Sequence, residues 1–182
     1  MSSELSASSR SSESSSSTKT KTTANDVVDI DWNWKAVAKE VFSDDTRPIV
    51  LFDGVCNLCN GGVNFAIDHD EDAKLRFTSL QSKVAQSLLL RSGMDPKEAN
   101  IVLVTKDKAY LSSDAVSRIC MKLDDDSLKF LGQAGMVTPN WIREILYKYV
   151  SSNRYFFGEN DQCRIDFDGT YTSRFVSDPM ES

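Results

Sequence analysis

Two unbroken apolar runs, Ile49-Val50-Leu51-Phe52 and Ile101-Val102-Leu103-Val104, constrain the fold more than any other feature. A run with no polar residue at either alternate position reads as a strand covered on both faces. Such strands belong to sheets flanked by helices. The intervening segments fit this. From Cys59 to Asp70, Val63, Ala66 and Ile67 recur at helical spacing. From Leu75 to Leu80, Leu75, Phe77 and Ser79 alternate with Arg76 and Thr78, the pattern of a half-buried strand. Ser82 can cap a helix that buries Val84, Leu88 and Leu89 and ends at Gly93. After the second run, Lys106-Asp107-Lys108 turns into Ala109-Tyr110-Leu111 to give a hairpin. Ser112 or Ser113 then caps a helix with Val116, Ile119, Cys120 and Leu123 on one face. The core order is β-α-β-α-β-β-α, an α/β sheet with at least one parallel pair finished by an antiparallel hairpin.

That order is the element order of the thioredoxin-like fold. Further elements flank it. Val27, Ile30, Trp34, Val37 and Val41 predict a short amphipathic helix within 31–42, inside an N-terminal extension over 26–47. Thr138-Pro139 predicts an extra C-terminal helix, with Thr as cap and Pro in the first turn, presenting Ile142, Ile145, Leu146 and Tyr149 to the domain. Residues 166–182 read as an irregular C-terminal tail. Residues 1–25 hold eleven Ser and four Thr and almost no large apolar side chain, so they read as a disordered tail.

A net charge of −6 with no basic cluster argues against a nucleic-acid partner. No apolar run is long enough to span a membrane, and the N-terminus lacks the apolar core of a secretory signal. The expected location is intracellular, with the cytoplasm favoured. The Ser/Thr-rich leader with Arg10, Lys19 and Lys21 leaves import into a plastid or mitochondrion open, against Glu4 and Glu13.

Four cysteines are present: Cys56, Cys59, Cys120 and Cys163. A close Cys-x-x-Cys pair in a chain without a secretory signal points to redox or metal work rather than a permanent disulfide. Its place matters. Cys56 falls where the first buried strand passes through Asp53-Gly54 into a helix, over unpaired backbone N–H groups that favour a thiolate. The two-residue spacer lets Cys59 reach a mixed disulfide formed at Cys56 and resolve it. Gly54 permits the tight turn. Asp53 has two readings: a cap on its own turn, or a proton acceptor for the resolving thiol.

The segment from Ile49 through Asp53-Gly54-Val55-Cys56-Asn57-Leu58-Cys59 to Asn60 resembles the opening motif, DGxCxxC, of the DCC family of thiol-disulfide oxidoreductases. The likeness continues through Arg76-Phe77, Leu80-Gln81-Ser82, Ser113-Asp114-Ala115, Asn153-Arg154-Tyr155 and Phe157-Gly158 to Cys163, so it spans about 48–165. It implies a thioredoxin-like domain over 48–165, with Cys56 and Cys59 as the redox pair. The implied activity is thiol-disulfide exchange of the protein-disulfide reductase type, without a bound cofactor. A disulfide-containing protein or small thiol and an external reductant would be its partners. Two features depart from thioredoxins: Pro96 lies five residues before Ile101, where a cis-proline would directly precede the strand, and Val55 stands where an aromatic is common.

The competing class is a binding module whose Cys-x-x-Cys is vestigial or holds a metal. Cys56, Cys59 and Cys163 with His69 or Cys120 could form a tetrahedral zinc set, but a second close pair is lacking. Cys120 fits a buried inert thiol, and His69 fits a solvated helix end in the acidic stretch Asp68–Asp72. Cys163 reads as a packed residue or as a third redox thiol. Asp166-Phe167-Asp168-Gly169-Thr170 matches a phosphatase nucleophile loop in letters, yet twelve residues cannot supply the domain that must follow. Asp166 and Asp168 read as turn residues.

Overall fold

Ile49–Phe52 forms β1, and all four residues are buried. The computed structural model describes residues 33–96, 99–153, 158 and 171–178. The expected disorder of 1–25, and Val27 and Ile30, lie outside the described residues.

β1 lies inside a four-stranded sheet of order β2-β1-β3-β4, with β2 at Arg76–Ser79, β3 at Ile101–Val104 and β4 at Ala109–Leu111. It runs parallel to β2 and antiparallel to β3, and β3 runs antiparallel to β4. Alternation along β1 divides the core. Val50 and Phe52 join Val63, Phe77, Leu103, Ile119 and Leu123 on one face, while Ile49 and Leu51 join Phe42, Val84, Leu88 and Leu89 on the other. The first face is covered by α2 (Asn57–Asp68) and α4 (Ser112–Cys120), the second by α1 (Trp34–Glu40) and α3 (Lys83–Arg91). This α/β layering is thioredoxin-like, as the element order predicts.

Local chemistry sets the ends of α3. Ser82 Oγ accepts from the Ala85 N–H at 3.0 Å. At the other end Gly93 takes a φ of +69°, and the Met94 and Gly93 N–H groups bond the Leu89 and Leu90 carbonyls, both at 3.0 Å. That left-handed closure suits glycine.

Several elements differ from the sequence expectation. Neither Ser112 nor Ser113 caps α4, whose first turn follows Leu111 with no side-chain cap. Ser113 is buried instead. Its hydroxyl donates to Glu144 and accepts from Arg143 Nε at 3.0 Å, tying α4 to the last helix. That helix, α6 (Asn140–Ser152), has Pro139 rather than Thr138 at its cap position. It meets α4 through Arg143 and Glu144, so Ile145, Leu146 and Tyr149, expected to face the domain, are exposed. Of the four expected contacts only Ile142 is half-buried.

The hydrophobic pattern does not announce α5 (Asp126–Val137). Asp125 caps it, its carboxylate accepting from the Ser127 and Leu128 N–H groups at 2.7 and 3.2 Å. Its glycines let it approach α4 closely. A Cβ on Gly132 would stand 2.6 Å from the Ser117 carbonyl oxygen, and one on Gly135 would meet Ser117 Oγ.

β2 is buried on both faces rather than half-buried, because Arg76 lies under the segment that follows α1. Its guanidinium donates to the carbonyls of Val41, Asp45 and Arg47 at 3.1, 2.6 and 2.9 Å, and stands 5.3 Å from the Phe42 ring centre. Next to it, Asp45 is held by Arg47: Nε donates to Oδ2 at 2.9 Å and Nη2 to the same oxygen at 2.6 Å. The Arg47 side chain chiefly, with its backbone N–H and the Arg76 charge, keeps the Asp45 carboxyl below its ordinary value. A depressed folded value means stability that is complete above the unfolded value and lost as the pH falls through the folded one. Asp45→Asn should therefore be less stable than the parent at neutral pH. The two urea midpoints should converge in strong acid, and a gap that widens there would contradict this sign.

Residues 171–178 return to the sheet. The Val176 N–H donates to the Phe77 carbonyl at 2.9 Å, and the Asp178 carboxylate accepts from the Lys83 and Val84 N–H groups at 3.0 Å each, at the start of α3.

Candidate active site

The end of β1, the first turn of α2 and the end of β2 converge on one bend. Chain direction fixes this: two parallel strands both end at the edge where the connecting helix begins. Cys56 is the N-cap of α2, with extended dihedrals (φ −88°, ψ 116°) and its Sγ accepting from the Cys59 N–H at 3.4 Å. The Asn60 N–H bonds the Cys56 carbonyl at 2.9 Å, starting the helix. The sulfur therefore occupies the place where a Ser or Asp side chain usually caps, and where backbone donors and the helix dipole favour negative charge. Cys56 and Cys59 are close together, and no disulfide joins them.

Polar contacts hold the bend. Asp53 is buried. One carboxylate oxygen accepts from the Val55 N–H at 3.3 Å, the turn-capping reading, and from Gln81 Nε2 at 3.1 Å. Gln81 Oε1 in turn accepts from the Gly54 N–H at 3.3 Å and from the Ser79 hydroxyl. Asn60 Nδ2 donates to the Gly54 carbonyl at 2.9 Å. Gly54 is used for space rather than for a left-handed backbone: its φ is not positive, but a Cβ there would lie 2.9 Å from Ser79 Oγ and 3.3 Å from Gln81 Oε1.

Gln81 and Asn60 were not singled out by sequence reasoning. The only signal was that both fall within stretches that resemble the DCC family. Gln81→Ala removes the side-chain link between the Asp53-Gly54 turn and Ser79. Urea unfolding should show a loss of roughly 1 kcal/mol, and no measurable loss would mean that Gln81 does not hold the turn.

The two sulfurs differ in access. Cys56 has 0 % of its surface exposed, whereas Cys59 is half-buried and borders a cavity of about 280 Å³. That cavity lies between α2, α4 and the end of α6 over the Val50/Phe52 face of the sheet. Cys120, expected to be a buried thiol, is half-buried in its wall, and that burial pushes the thiol above its ordinary value. His69 ends α2 with Nδ1 bonded to the Phe65 carbonyl at 2.8 Å. Among the described residues no group of three or more His, Cys, Asp or Glu side chains could hold a metal. Among them, too, no peptide bond is cis, and no helix is long and apolar enough to cross a membrane. Arg154, Tyr155, Phe157, Cys163, Asp166 and Asp168 lie outside the described residues.

A parallel β-α-β unit with Cys-x-x-Cys at its helix N-terminus, closed by an antiparallel hairpin and helix, defines a thioredoxin-like domain with a dithiol centre. The family model of the DCC1-like thiol-disulfide oxidoreductases matches residues 50–159, and the chain belongs to that family. A DCC family protein of Arabidopsis thaliana, described as chloroplastic, is 44% identical over 135 residues, 73% of this chain and 78% of its own length. YuxK of Bacillus subtilis, described as uncharacterized, is 36% identical over 119 residues, 64% of this chain and 85% of its own. No solved structure matches the chain significantly.

Proposed function

We propose that the protein reduces disulfides by dithiol exchange at Cys56 and Cys59, with no bound cofactor. The observation that carries this reading is the Cys59 N–H aimed at Cys56 Sγ on the first turn of α2. Cys56 attacks a substrate disulfide as thiolate, and Cys59 then displaces the product and closes the internal disulfide. Asp53, three residues before Cys56, takes the proton of the resolving thiol in addition to capping the turn. The substrates are a protein disulfide or a small disulfide, and an external dithiol resets the pair.

A second order of attack is favoured by exposure. Cys56 is fully covered and Cys59 borders the cavity, so a small substrate meets Cys59 first. Trapping separates the two orders. With a hydrophilic disulfide, the sulfur that attacks first should keep a mixed disulfide when its partner is replaced, in Cys59→Ser or in Cys56→Ser. The dithiol reading itself requires the parent chain to lose two thiols reversibly under mild oxidant while containing no stoichiometric zinc. Zinc held by the pair, or thiols that never couple, would instead support a binding module.

For location, the sequence reading favours the cytoplasm and the Arabidopsis relative's description favours a plastid. A fluorescent fusion to the C-terminus of the full chain distinguishes them.

A further inference from the structure

Among the described residues, no charged side chain lies in the wall of the cavity beside Cys59. Phe52, Val63, Phe77, Ile119 and Leu123 form much of it, and Cys59 is the member of the redox pair that reaches it. A cavity of about 150 Å³ with such a lining holds one benzene ring, so about 280 Å³ has room for a ligand of two small rings or an equivalent chain. A charged peptide or a glutathione-like disulfide would have to bring its carboxylates against a mostly apolar wall in which no described residue offers a counter-charge. An apolar one loses only unfavourable contact with water.

We propose that this cavity is the binding site of a small apolar disulfide, delivered to the redox pair through Cys59. The proposal rests on the dithiol reading above in its second order of attack, with Cys59 first, and adds the class of substrate. The exchange balances within the site. The Cys59 thiolate bonds one sulfur of R–S–S–R and the first R–S⁻ leaves. Cys56 then attacks Cys59 Sγ, forming the Cys56–Cys59 disulfide and releasing the second R–S⁻. The two protons of the protein thiols end on two R–SH. The substrate gains two electrons that the protein pair loses, and an external dithiol returns them.

Two adjacent glycines of α2 allow a clean test. Gly62 borders the cavity and Gly61 does not, and a Cβ on either would meet nothing within 4 Å. Leucine at either position should leave the helix intact, since glycine is the poorer helix former. The full chain, reduced, is assayed with diphenyl disulfide and with hydroxyethyl disulfide. The ratio of the two kcat/KM values is compared among the parent, Gly62→Leu and Gly61→Leu. In Gly62→Leu the ratio of apolar to hydrophilic substrate should fall by roughly tenfold, and in Gly61→Leu it should stay at the parent value. Bibenzyl, which replaces the S–S bond by CH₂–CH₂ and cannot react, should compete with diphenyl disulfide. An unchanged ratio in Gly62→Leu, with both substrates still exchanged, overturns the cavity assignment and leaves the dithiol reading standing. If the parent exchanges neither substrate and its thiols do not couple, the dithiol reading fails and the cavity assignment with it.

Discussion

Arg174→Ala should destabilise the protein by about 3–5 kcal/mol, because it leaves a buried carboxylate without its counter-charge. Asp70 is 1 % exposed and Arg174 is 6 % exposed. The Arg174 guanidinium donates to the Asp70 carboxylate, and its Nε and Nη1 donate to the carbonyls of Leu75 and Asp70 at 2.9 and 3.2 Å. Asp70 also accepts from the Lys74 and Leu75 N–H groups at 3.0 and 2.9 Å, so it organises the turn that leads into β2. Burial opposes the charge on Arg174 and Asp70 supports it, as for any ion pair taken out of water. Arg174→Lys should recover little, since an ammonium cannot reproduce the fork that reaches three acceptors. In the double variant Asp70→Leu/Arg174→Met only part of the loss should return: no lone charge is left buried, but the Lys74 and Leu75 N–H groups lose their acceptor. Urea unfolding of the four proteins checks this. A loss below about 1 kcal/mol in Arg174→Ala would mean that the pair is solvated.

Arg174 also shows where the sequence stops being legible. Its partner is 104 positions away, and no local pattern distinguishes it from a surface arginine in a polar tail. The β1 and β3 runs could be read because a strand buried on both faces needs apolar residues at every position. Helix α2 and the place of Cys56 at its start followed from that strand. Helix α5 was hidden for a physical reason. Gly132 and Gly135 read as helix breakers, yet they serve close approach to Ser117, and packing rather than propensity decides the outcome. The orientation of α6 was misread because its apolar residues outnumber its polar ones. The side that meets α4 nonetheless carries Arg143 and Glu144, which bond a buried Ser113. Pattern reasoning assumes that the apolar side faces inward, and α6 is outside that rule. At the site, sequence placed both sulfurs at the strand-to-helix turn but could not say which one is covered. That depends on contacts from distant positions, as the bond from the neighbouring Asn57 N–H to the Gly158 carbonyl at 3.4 Å illustrates.

Phe77→Ala should be the most damaging change in the core, at about 3–5 kcal/mol. Phe77 is the largest fully buried side chain among the described residues and lies in β2 opposite Val50. The Phe175 ring lies 6.0 Å away centre to centre, and the Arg174 guanidinium stands 5.6 Å from its ring centre. One side of it faces the cavity beside Cys59. Losses of this kind vary with how far the surroundings collapse into the vacated space. Here collapse is hindered on both sides: the sheet fixes the backbone, and the neighbouring space is already empty, so the deletion should extend the cavity. The expected result lies at the upper end of that range. Urea unfolding should show it together with tighter binding of a bulkier apolar probe in the enlarged space. A Phe77→Ala chain that unfolds within 1–2 kcal/mol of the parent would mean that the walls close when the ring is removed. The space beside Cys59 would then be too pliable to select a substrate by size, which ties this stability measurement to the chemistry assigned to the cavity.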